Sequence, residues 1–303
     1  MTFILDPLPA NPNLEFIEEG HKYVYHDPVL GPFEPKSVST VLAETEAKCF
    51  NYGIWRKSLM KKGLTFDQAE AFMKWHREHR AQVGTDFHYL AEHRFKEGDN
   101  FDLALHSTKV LPEAVAIFEH FNEDFVPKVR RVLMIEMPMI HKSLIYTGTP
   151  DLVLELDPEP RFPEPLWMID YKAVGQDGEN SHNSFLWWLE YHQLFPALQY
   201  NRENPPDIHG KNSRSWRKRS EWVLQLAAYI ELVRCNHHIP LNQAANMVLS
   251  DQKFRLLTYN RADIAQAWSR YAGFLREWHG RRASLGDQLS LLALPAVEAM
   301  FQG

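Results

Sequence analysis

Two acidic residues and a lysine have types and spacing that suggest chemistry: Asp151, Asp170 and Lys172. Side chains alternate along a β-strand, so Asp170 and Lys172 project from one face of the strand-like segment 166–174. Asp151 follows Gly148 at the start of a run of aliphatic residues, where a carboxylate is costly to bury unless it is paired or bound to a metal. If two neighbouring strands each bring a carboxylate to one face, the resulting oxygen site suits Mg²⁺ or Mn²⁺.

Such a site suits the hydrolysis of a phosphodiester, which is itself anionic. Metal ions held by carboxylates lower the pKa of bound water and stabilise the charge that develops on the attacking and leaving oxygens. Lys172 either removes a proton from the attacking water or stabilises charge, and the sequence leaves both roles open. Each piece alone is weak, because Asp-x-Lys is common on strands and an aspartate after Gly-x-Pro is more often a turn residue.

Four short patterns follow one another along the chain in this order: Gly84-x-x-x-His88, Gly148-x-x-Asp151, Asp170-x-Lys172 and Gln225-x-x-x-Tyr229. The strings that contain them are VGTDFHYLAEHRF, YTGTPDLVLEL, LWMIDYKA and VLQLAAYIELV. In order and spacing they resemble the RecB-like branch of the PD-(D/E)XK nucleases, with a closer likeness to the mitochondrial genome maintenance exonuclease and related phage and bacterial exonucleases. The SVSTVL segment at 37–42 adds to the resemblance, which covers roughly residues 20–280.

The resemblance implies a role for each matching residue. Asp151 and Asp170 become metal ligands, together with the carbonyl of Tyr171, for one or two Mg²⁺ or Mn²⁺ ions. His88 becomes a further ligand or a contact to the scissile phosphate. Lys172 becomes the residue that orients or deprotonates the attacking water.

The same resemblance assigns supporting residues. Gln225 and Tyr229, one helical turn apart, are expected to brace the lysine and the DNA backbone. Glu92 and Glu136 are expected to support the metal ligands from behind. Ala173 departs from the family, whose members often carry Thr or Ser after the lysine, so the contact made by that hydroxyl is missing from this chain.

The elements that must position these residues are predicted from the periodicity of apolar side chains. Strand patterns occupy 132–140, 144–156, 166–174 and 246–259, and helical patterns occupy 40–95, 112–131, 221–235 and 263–280. This order indicates an α/β or α+β layered domain. The resemblance implies a PD-(D/E)XK restriction-endonuclease-like core, with a central mixed sheet flanked by helices and an N-terminal helical extension.

We therefore expect a single nuclease domain over 1–303. Its expected parts are a hairpin and helical extension at 1–80, a core at 81–174 and 221–280, an insertion at 175–220, and a weakly anchored tail at 281–303. Within the first part, a helix is expected to begin near Ser37 or Ser39, and Thr65 is expected to cap the helix that follows it.

The insertion is longer than a simple crossover requires. It contains six aromatic residues between 185 and 200 and then five cations within 211–219. Basic residues neutralise phosphates and aromatic rings stack on unpaired bases. We expect an arch over a single-stranded DNA end, with contacts from Arg214, Trp216, Arg217, Lys218 and Arg219. The alternative is a core helix followed by a solvated basic loop.

The composition limits the other possibilities. The net charge of −6 argues against a uniformly basic coat, yet it permits a local basic path for DNA. Two cysteines are too few for a disulfide framework or for a four-cysteine iron–sulfur cluster, which excludes the RecB-like nucleases that carry one. No apolar stretch reaches the ~18 residues of a membrane span, and the first residues lack a signal-peptide pattern. A cytoplasmic location is expected.

Three alternatives to an exonuclease remain open from the sequence. A restriction-type endonuclease could use the same core, although no separate recognition domain is visible. A nucleic-acid-binding protein could carry an inactive core, although Asp151, Asp170 and Lys172 are all present. A metal-free structural protein would make the four patterns accidental.

Overall fold

The computed structural model describes residues 3–20, 22–45, 52–158, 164–174, 214–250 and 253–301, with 52, 214–220, 250 and 253 described by their backbone. The strands are β1 Ile4–Leu5, β2 Leu14–Ile17, β3 Lys22–Asp27, β4 Gly31–Phe33, β5 Lys36–Ser37, β6 Val129–Ile135, β7 Met139–His141, β8 Tyr146–Gly148, β9 Leu152–Leu156, β10 Leu166–Ala173, β11 Gln243–Ser250 and β12 Lys253–Tyr259. The helices are α1 Val38–Thr45, α2 Tyr52–Lys61, α3 Phe66–Glu97, α4 Leu103–Ser107, α5 Pro112–Asp124, α6 Arg214–His237, α7 Arg261–Ala283 and α8 Gln288–Ala299. Short 3-10 turns lie at Gly98–Asn100 and Val126–Lys128.

The central sheet has six strands in the order β1-β6-β9-β10-β11-β12. The β1–β6 and β10–β11 pairs are parallel, whereas the β6–β9, β9–β10 and β11–β12 pairs are antiparallel. Two smaller sheets accompany it, with the orders β2-β3-β4 and β5-β8-β7. Helices cover both faces of the central sheet, so the predicted class, a mixed sheet flanked by helices, is confirmed.

Side chains alternate along β10 between two hydrophobic cores. Trp167, Ile169 and Tyr171 pack with residues of α3 and α5 on one face of the sheet. Met168 packs with residues of α6 and α7 on the opposite face. Each fully buried large apolar side chain contributes about 1.5–3 kcal/mol, so the two cores hold the sheet firmly between its helix layers. Asp170 is two residues from Met168, so its side chain projects from the same face of the sheet, the one covered by α6.

Two segments predicted as single strands are each divided in the structure. The segment 132–140 splits into β6 and β7 at Glu136, which has a positive φ of 43°. The segment 144–156 splits into β8 and β9 around Pro150, whose missing N–H cannot continue a ladder. The halves lie in different sheets, so the prediction of unbroken strands is wrong here. The second break places Asp151 directly before β9.

Other boundaries also differ from those predicted. The segment 246–259 belongs to two antiparallel strands, β11 and β12, with 251–252 outside the described residues. The helix predicted over 112–131 ends at Asp124, because Pro127 follows in a 3-10 turn before β6 begins. Helix α6 begins at Arg214, earlier than the predicted 221.

The predicted helix starts near the N-terminus are confirmed. The Thr65 hydroxyl accepts from the Gln68 amide at 3.3 Å, and the Gln68 side chain accepts from the Thr65 amide at 2.9 Å, which forms a capping box. The Ser37 hydroxyl accepts from the Thr40 amide at 3.1 Å where α1 begins. Helix α3 runs through position 80, so the expected boundary between extension and core falls inside a helix.

The C-terminal segment is packed, and the prediction of a weakly anchored tail is wrong. Helix α8 buries Ala293 and Val297 completely, one helical turn apart. The Ser290 hydroxyl also lies 3.1 Å from Nδ1 of the buried His279 on α7. The apolar spacing within α8 is the signal that identifies an anchored helix.

Most of the insertion, residues 175–213, lies outside the described residues, and with it the aromatic part of the expected arch. Among the helices that the structure describes, none has the length and apolar content that crossing a membrane requires.

We predict that Val297→Asp lowers the free energy of unfolding by several kcal/mol, because it buries an unpaired carboxylate in the α8 interface. Leu292→Asp is the matched control in the same helix, because Leu292 is 52% exposed and its replacement should change stability by about 0.5 kcal/mol or less. Denaturant unfolding of both variants measures the difference. Equal effects would contradict a packed C-terminal helix.

Candidate metal centre

The candidate site lies where β10 loses its neighbour β9. The β9–β10 ladder ends with Leu152 opposite Ile169, so the next residues along are Asp151 and Asp170. Beyond the ladder, the Tyr171 amide donates to Oδ2 of Asp151 at 2.5 Å. The two carboxylates are consequently held inside the protein, with exposed fractions of 7% for Asp151 and 1% for Asp170.

His88 and Glu136 approach Asp151 from two other elements. Nδ1 of His88, on α3, lies 2.6 Å from Oε1 of Glu136, and Nε2 lies 3.7 Å from Oδ2 of Asp151. One ligand atom from each of the three residues lies within 4.8 Å of the others. Glu136 is fixed just after β6, because its amide donates to the carbonyl of Asp151 at 2.8 Å. The Tyr171 ring meets the His88 ring edge-on at 4.9 Å and orients it.

Lys172 lies against the second carboxylate. Its Nζ is 2.7 Å from Oδ2 of Asp170, and the same oxygen accepts from the Asn246 side-chain amide at 2.7 Å. Asn246 is fully buried on β11, directly opposite Asp170 in the parallel ladder. The lysine amine is thereby held at the edge of the site, while the amide compensates part of the desolvation of the carboxylate.

Burial dominates the electrostatics of the two aspartates. Desolvation raises the pKa of Asp151 to about 6, with His88 opposing the shift and Glu136 adding to it. Desolvation also raises the pKa of Asp170 to about 6, although Lys172 opposes it. These buried negative charges are incompletely compensated by the protein itself, which is the condition under which a cation binds favourably.

For His88, in contrast to the aspartates, neighbouring charges outweigh burial in setting the pKa. Burial lowers the pKa of His88, but the negative charges of Asp151 and Glu136 outweigh it and raise the pKa to about 9. In the metal-free protein His88 is therefore protonated at neutral pH and acts as a counter-ion to the carboxylates. It must lose that proton before it can bind a metal.

Helix α6 contributes a hydrogen-bonded pair on the far side of the site. The side-chain amide of Gln225 donates to the hydroxyl of Tyr229 at 2.7 Å. Burial raises the pKa of Tyr229 well above 10, and Asp170 adds to the shift, so the phenol stays neutral near the carboxylates. Gly148 makes room for this ring, because a Cβ there would lie 2.5 Å from Cε1 of Tyr229.

The structure brings most of the residues predicted for the site into one region. Asp151, Asp170, Lys172 and His88 are joined by the contacts above, and Gln225 with Tyr229 lies within electrostatic reach of them. The amide of Tyr171 donates to Asp151, and the expected role of the Tyr171 carbonyl as a metal ligand stays a prediction.

Two supporting residues differ from expectation. Glu136 was expected to support the metal ligands, but its carboxylate lies close enough to His88 and Asp151 to be a ligand itself. Glu92 is paired with Lys96 on α3, and its expected support of the ligands stays a prediction. Asn246 was not expected at all, and its signal is an amide within the otherwise apolar run 244–249 of β11. Ala173 packs close to Gly84, where an added Cβ would lie 3.1 Å from it.

The residues expected to contact DNA lie at the start of α6. The backbone of Arg214, Trp216, Arg217, Lys218 and Arg219 is helical, whereas one alternative considered for this basic run was a loop. Their side chains lie outside the described residues.

The donor set fits a divalent metal ion of the harder kind. Carboxylate oxygens from Asp151 and Glu136 suit Mg²⁺ and Mn²⁺, and the Asp170 carboxylate, paired with Lys172, is a third oxygen donor beside them. The imidazole of His88 favours Mn²⁺ over Mg²⁺, because nitrogen ligands suit transition metals better. Comparison with models of known protein families gives no match, and comparison with curated proteins gives none either.

We predict that Mn²⁺ binding at about pH 7.5 releases close to one proton, because the pKa of about 9 keeps His88 protonated in the metal-free protein. Affinity should fall as the pH drops below about 9, where His88 becomes protonated, and more steeply below about 6, where the aspartates are protonated as well. Calorimetry in two buffers of different ionisation enthalpy measures the released protons. His88→Gln is the control and should bind without this release; equal release from both proteins would exclude His88 as a ligand.

We predict that Gly148→Ala displaces the Tyr229 ring and costs about 1–3 kcal/mol of stability, because the new methyl group overlaps the ring. Gly273→Ala is the matched control, because no atom lies within 4 Å of a Cβ there and alanine favours the helix. Thermal unfolding should therefore move in opposite directions for the two variants. A neutral Gly148→Ala would show that Tyr229 is not held against β8.

Proposed function

We propose that this protein is a metal-dependent deoxyribonuclease of the PD-(D/E)XK type. The observation that carries the proposal is the convergence of Asp151, Asp170 and Lys172 at the end of the β9–β10 ladder. The four ordered sequence patterns and the mixed sheet between helix layers support it. A cytoplasmic location, expected from the sequence, belongs to the same proposal.

In this proposal Asp151 and Asp170 hold one or two Mg²⁺ or Mn²⁺ ions, with His88 and Glu136 as further candidate ligands. When bound, such a cation lowers the pKa of water and neutralises negative charge on the scissile phosphate. The Tyr171 amide keeps the carboxylate of Asp151 oriented before the metal arrives, since it already donates to Oδ2. Little reorganisation is then needed on binding.

Lys172 positions the attacking water in this proposal. Its amine is held 2.7 Å from Asp170, so it stands next to the expected metal ligands and at the partly open edge of the site. From there it can orient a water molecule, take its proton, or neutralise charge on the phosphate. Asn246 holds Asp170 from the interior and so fixes the lysine indirectly.

Gln225 and Tyr229 act on the DNA side. Tyr229 stays neutral because burial raises its pKa, so it serves as a hydrogen-bond donor rather than as a base. Gln225 donates to the phenolic oxygen, which leaves the phenolic proton available for a phosphate oxygen. This arrangement supports the positioning role expected for the pair.

The proposed substrate is a single-stranded DNA end, and the proposed reaction is exonucleolytic. The support for this finer part comes from the sequence: an aromatic segment followed by five cations within 211–219. An endonuclease on the same core and an inactive DNA-binding protein are the two alternatives.

We predict that Asp170→Asn and Lys172→Ala each abolish DNA cleavage with little loss of stability. Asp170→Asn removes a buried negative charge that the metal requires, and Lys172→Ala removes the amine beside the expected water. Asp157→Asn and Lys96→Ala are matched controls, because both side chains are more than half exposed and neither lies at the site. Purified variants are compared by cleavage of labelled DNA and by thermal unfolding. Full turnover in either site variant would refute the nuclease assignment.

The substrate form separates the remaining alternatives. Linear and circular DNA, each single- and double-stranded, are incubated with Mg²⁺, Mn²⁺ or EDTA. The proposal expects metal-dependent loss of linear single strands with circles left intact. Cutting of circles would favour the endonuclease, and binding without cleavage would favour the inactive DNA-binding protein.

A further inference from the structure

A second group of metal-ligating side chains lies on α3, beyond the candidate site. His93 and Glu97 stand one helical turn apart on this helix, and His106 reaches them from α4. Nδ1 of His93 is 2.7 Å from Oε1 of Glu97, and Nε2 of His106 is 3.2 Å from the same oxygen. One ligand atom from each of the three residues lies within 4.8 Å of the others.

These separations match a small tetrahedral ion. Zn²⁺ binds imidazole nitrogen and carboxylate oxygen at about 2.0–2.2 Å, which places tetrahedral ligand atoms about 3.3 Å apart. The 3.2 Å between His106 and Glu97 is already close to that value, and the pair of His93 and Glu97 needs only a small opening. Two histidines and one carboxylate suit Zn²⁺ better than Mg²⁺ or Ca²⁺, which prefer oxygen ligands.

The surroundings of His106 hold its ring in a ligating orientation. The ring is only 4% exposed and stacks on Phe101 at 4.9 Å with the planes 8° apart. Its second nitrogen, Nδ1, lies 2.9 Å from the Tyr89 hydroxyl, which also accepts from Lys109 at 3.3 Å. Metal-binding histidines characteristically use their second nitrogen in this way, because the bond fixes the tautomer and the ring angle.

We propose that His93, Glu97 and His106 form a Zn²⁺ site, with water in the fourth position. The side chains of His93 and Glu97 are about one-third exposed, so an ion can enter from solvent and keep a water molecule. The ion ties α4 and the 3-10 turn before it to the end of α3. This helix also carries His88, but the Zn²⁺ site is a separate one and does not depend on the proposed nuclease activity.

The test measures Zn²⁺ binding to the full chain, without a histidine tag and stripped with EDTA, by competition with a chromophoric chelator. All variants carry Asp151→Asn, so that the candidate nuclease site does not contribute. We expect one Zn²⁺ per chain in this background and intense visible absorption when Co²⁺ replaces it, as for four-coordinate Co²⁺. Adding Tyr89→Phe should weaken Zn²⁺ binding by about 10- to 100-fold, because the ring of His106 loses its partner.

Adding Glu97→Gln should remove the Zn²⁺ binding and the Co²⁺ absorption altogether. Glu97 is partly exposed, so this variant is expected to fold, and circular dichroism verifies it. Glu92→Gln, on the same helix but bonded to Lys96, is the matched control and should bind Zn²⁺ like its parent. Equal Zn²⁺ binding with and without Glu97→Gln would overturn the proposal, as would the absence of binding in the Asp151→Asn parent. DNA cleavage is not a readout, so this proposal and the nuclease proposal fail independently.

Discussion

The interior carboxylates of Asp151 and Asp170 impose the constraint on which the rest of the site depends. Removing two like charges from water costs several kcal/mol each unless donors or cations face them. The protein supplies a backbone amide to one and an ammonium group and a side-chain amide to the other. Their pKa values nevertheless remain raised to about 6, so the compensation is incomplete. In the proposed function, a bound divalent cation would compensate the remaining negative charge and so stabilise the folded protein.

Part of the charge on Asp151 is compensated because one strand of the central sheet is shorter than its neighbour at the site. β9 begins only at Leu152, so β10 presents an amide at Tyr171 to the side chain of Asp151. The same interruption ends β6 at Ile135 and turns the chain at Glu136 through a left-handed backbone. A continuous ladder would have used this amide for sheet pairing. The irregularities in the sheet therefore create the site.

Two helix layers then bring the remaining groups from opposite faces. Helix α3 packs beside Tyr171 and places His88 next to Asp151, the residue that precedes β9. Helix α6 packs on the other face and places Tyr229 over Gly148, where an added Cβ would overlap the ring. Both helices are anchored by apolar side chains buried in the two cores. This burial fixes the helices and therefore also fixes the polar side chains that they carry to the site. The same principle applies to His106, whose position is set by stacking on Phe101.

Four features could be predicted before folding: the layered class with helices on a mixed sheet, the capping of α3 at Thr65, the two faces of β10, and most of the residues that meet at the candidate site. The class, the cap and the strand faces follow from local rules of periodicity, capping and alternation, whereas His88, Gln225 and Tyr229 were expected at the site only from the family resemblance. Contacts between distant segments, by contrast, set the breaks at Glu136 and Pro150, the packing of α8, the place of Asn246 beside Asp170, and the group formed by His93, Glu97 and His106. Those features depend on which segments become neighbours in space. Which segments become neighbours depends on the joint burial of many side chains that are far apart in the sequence, so no single segment predicts it.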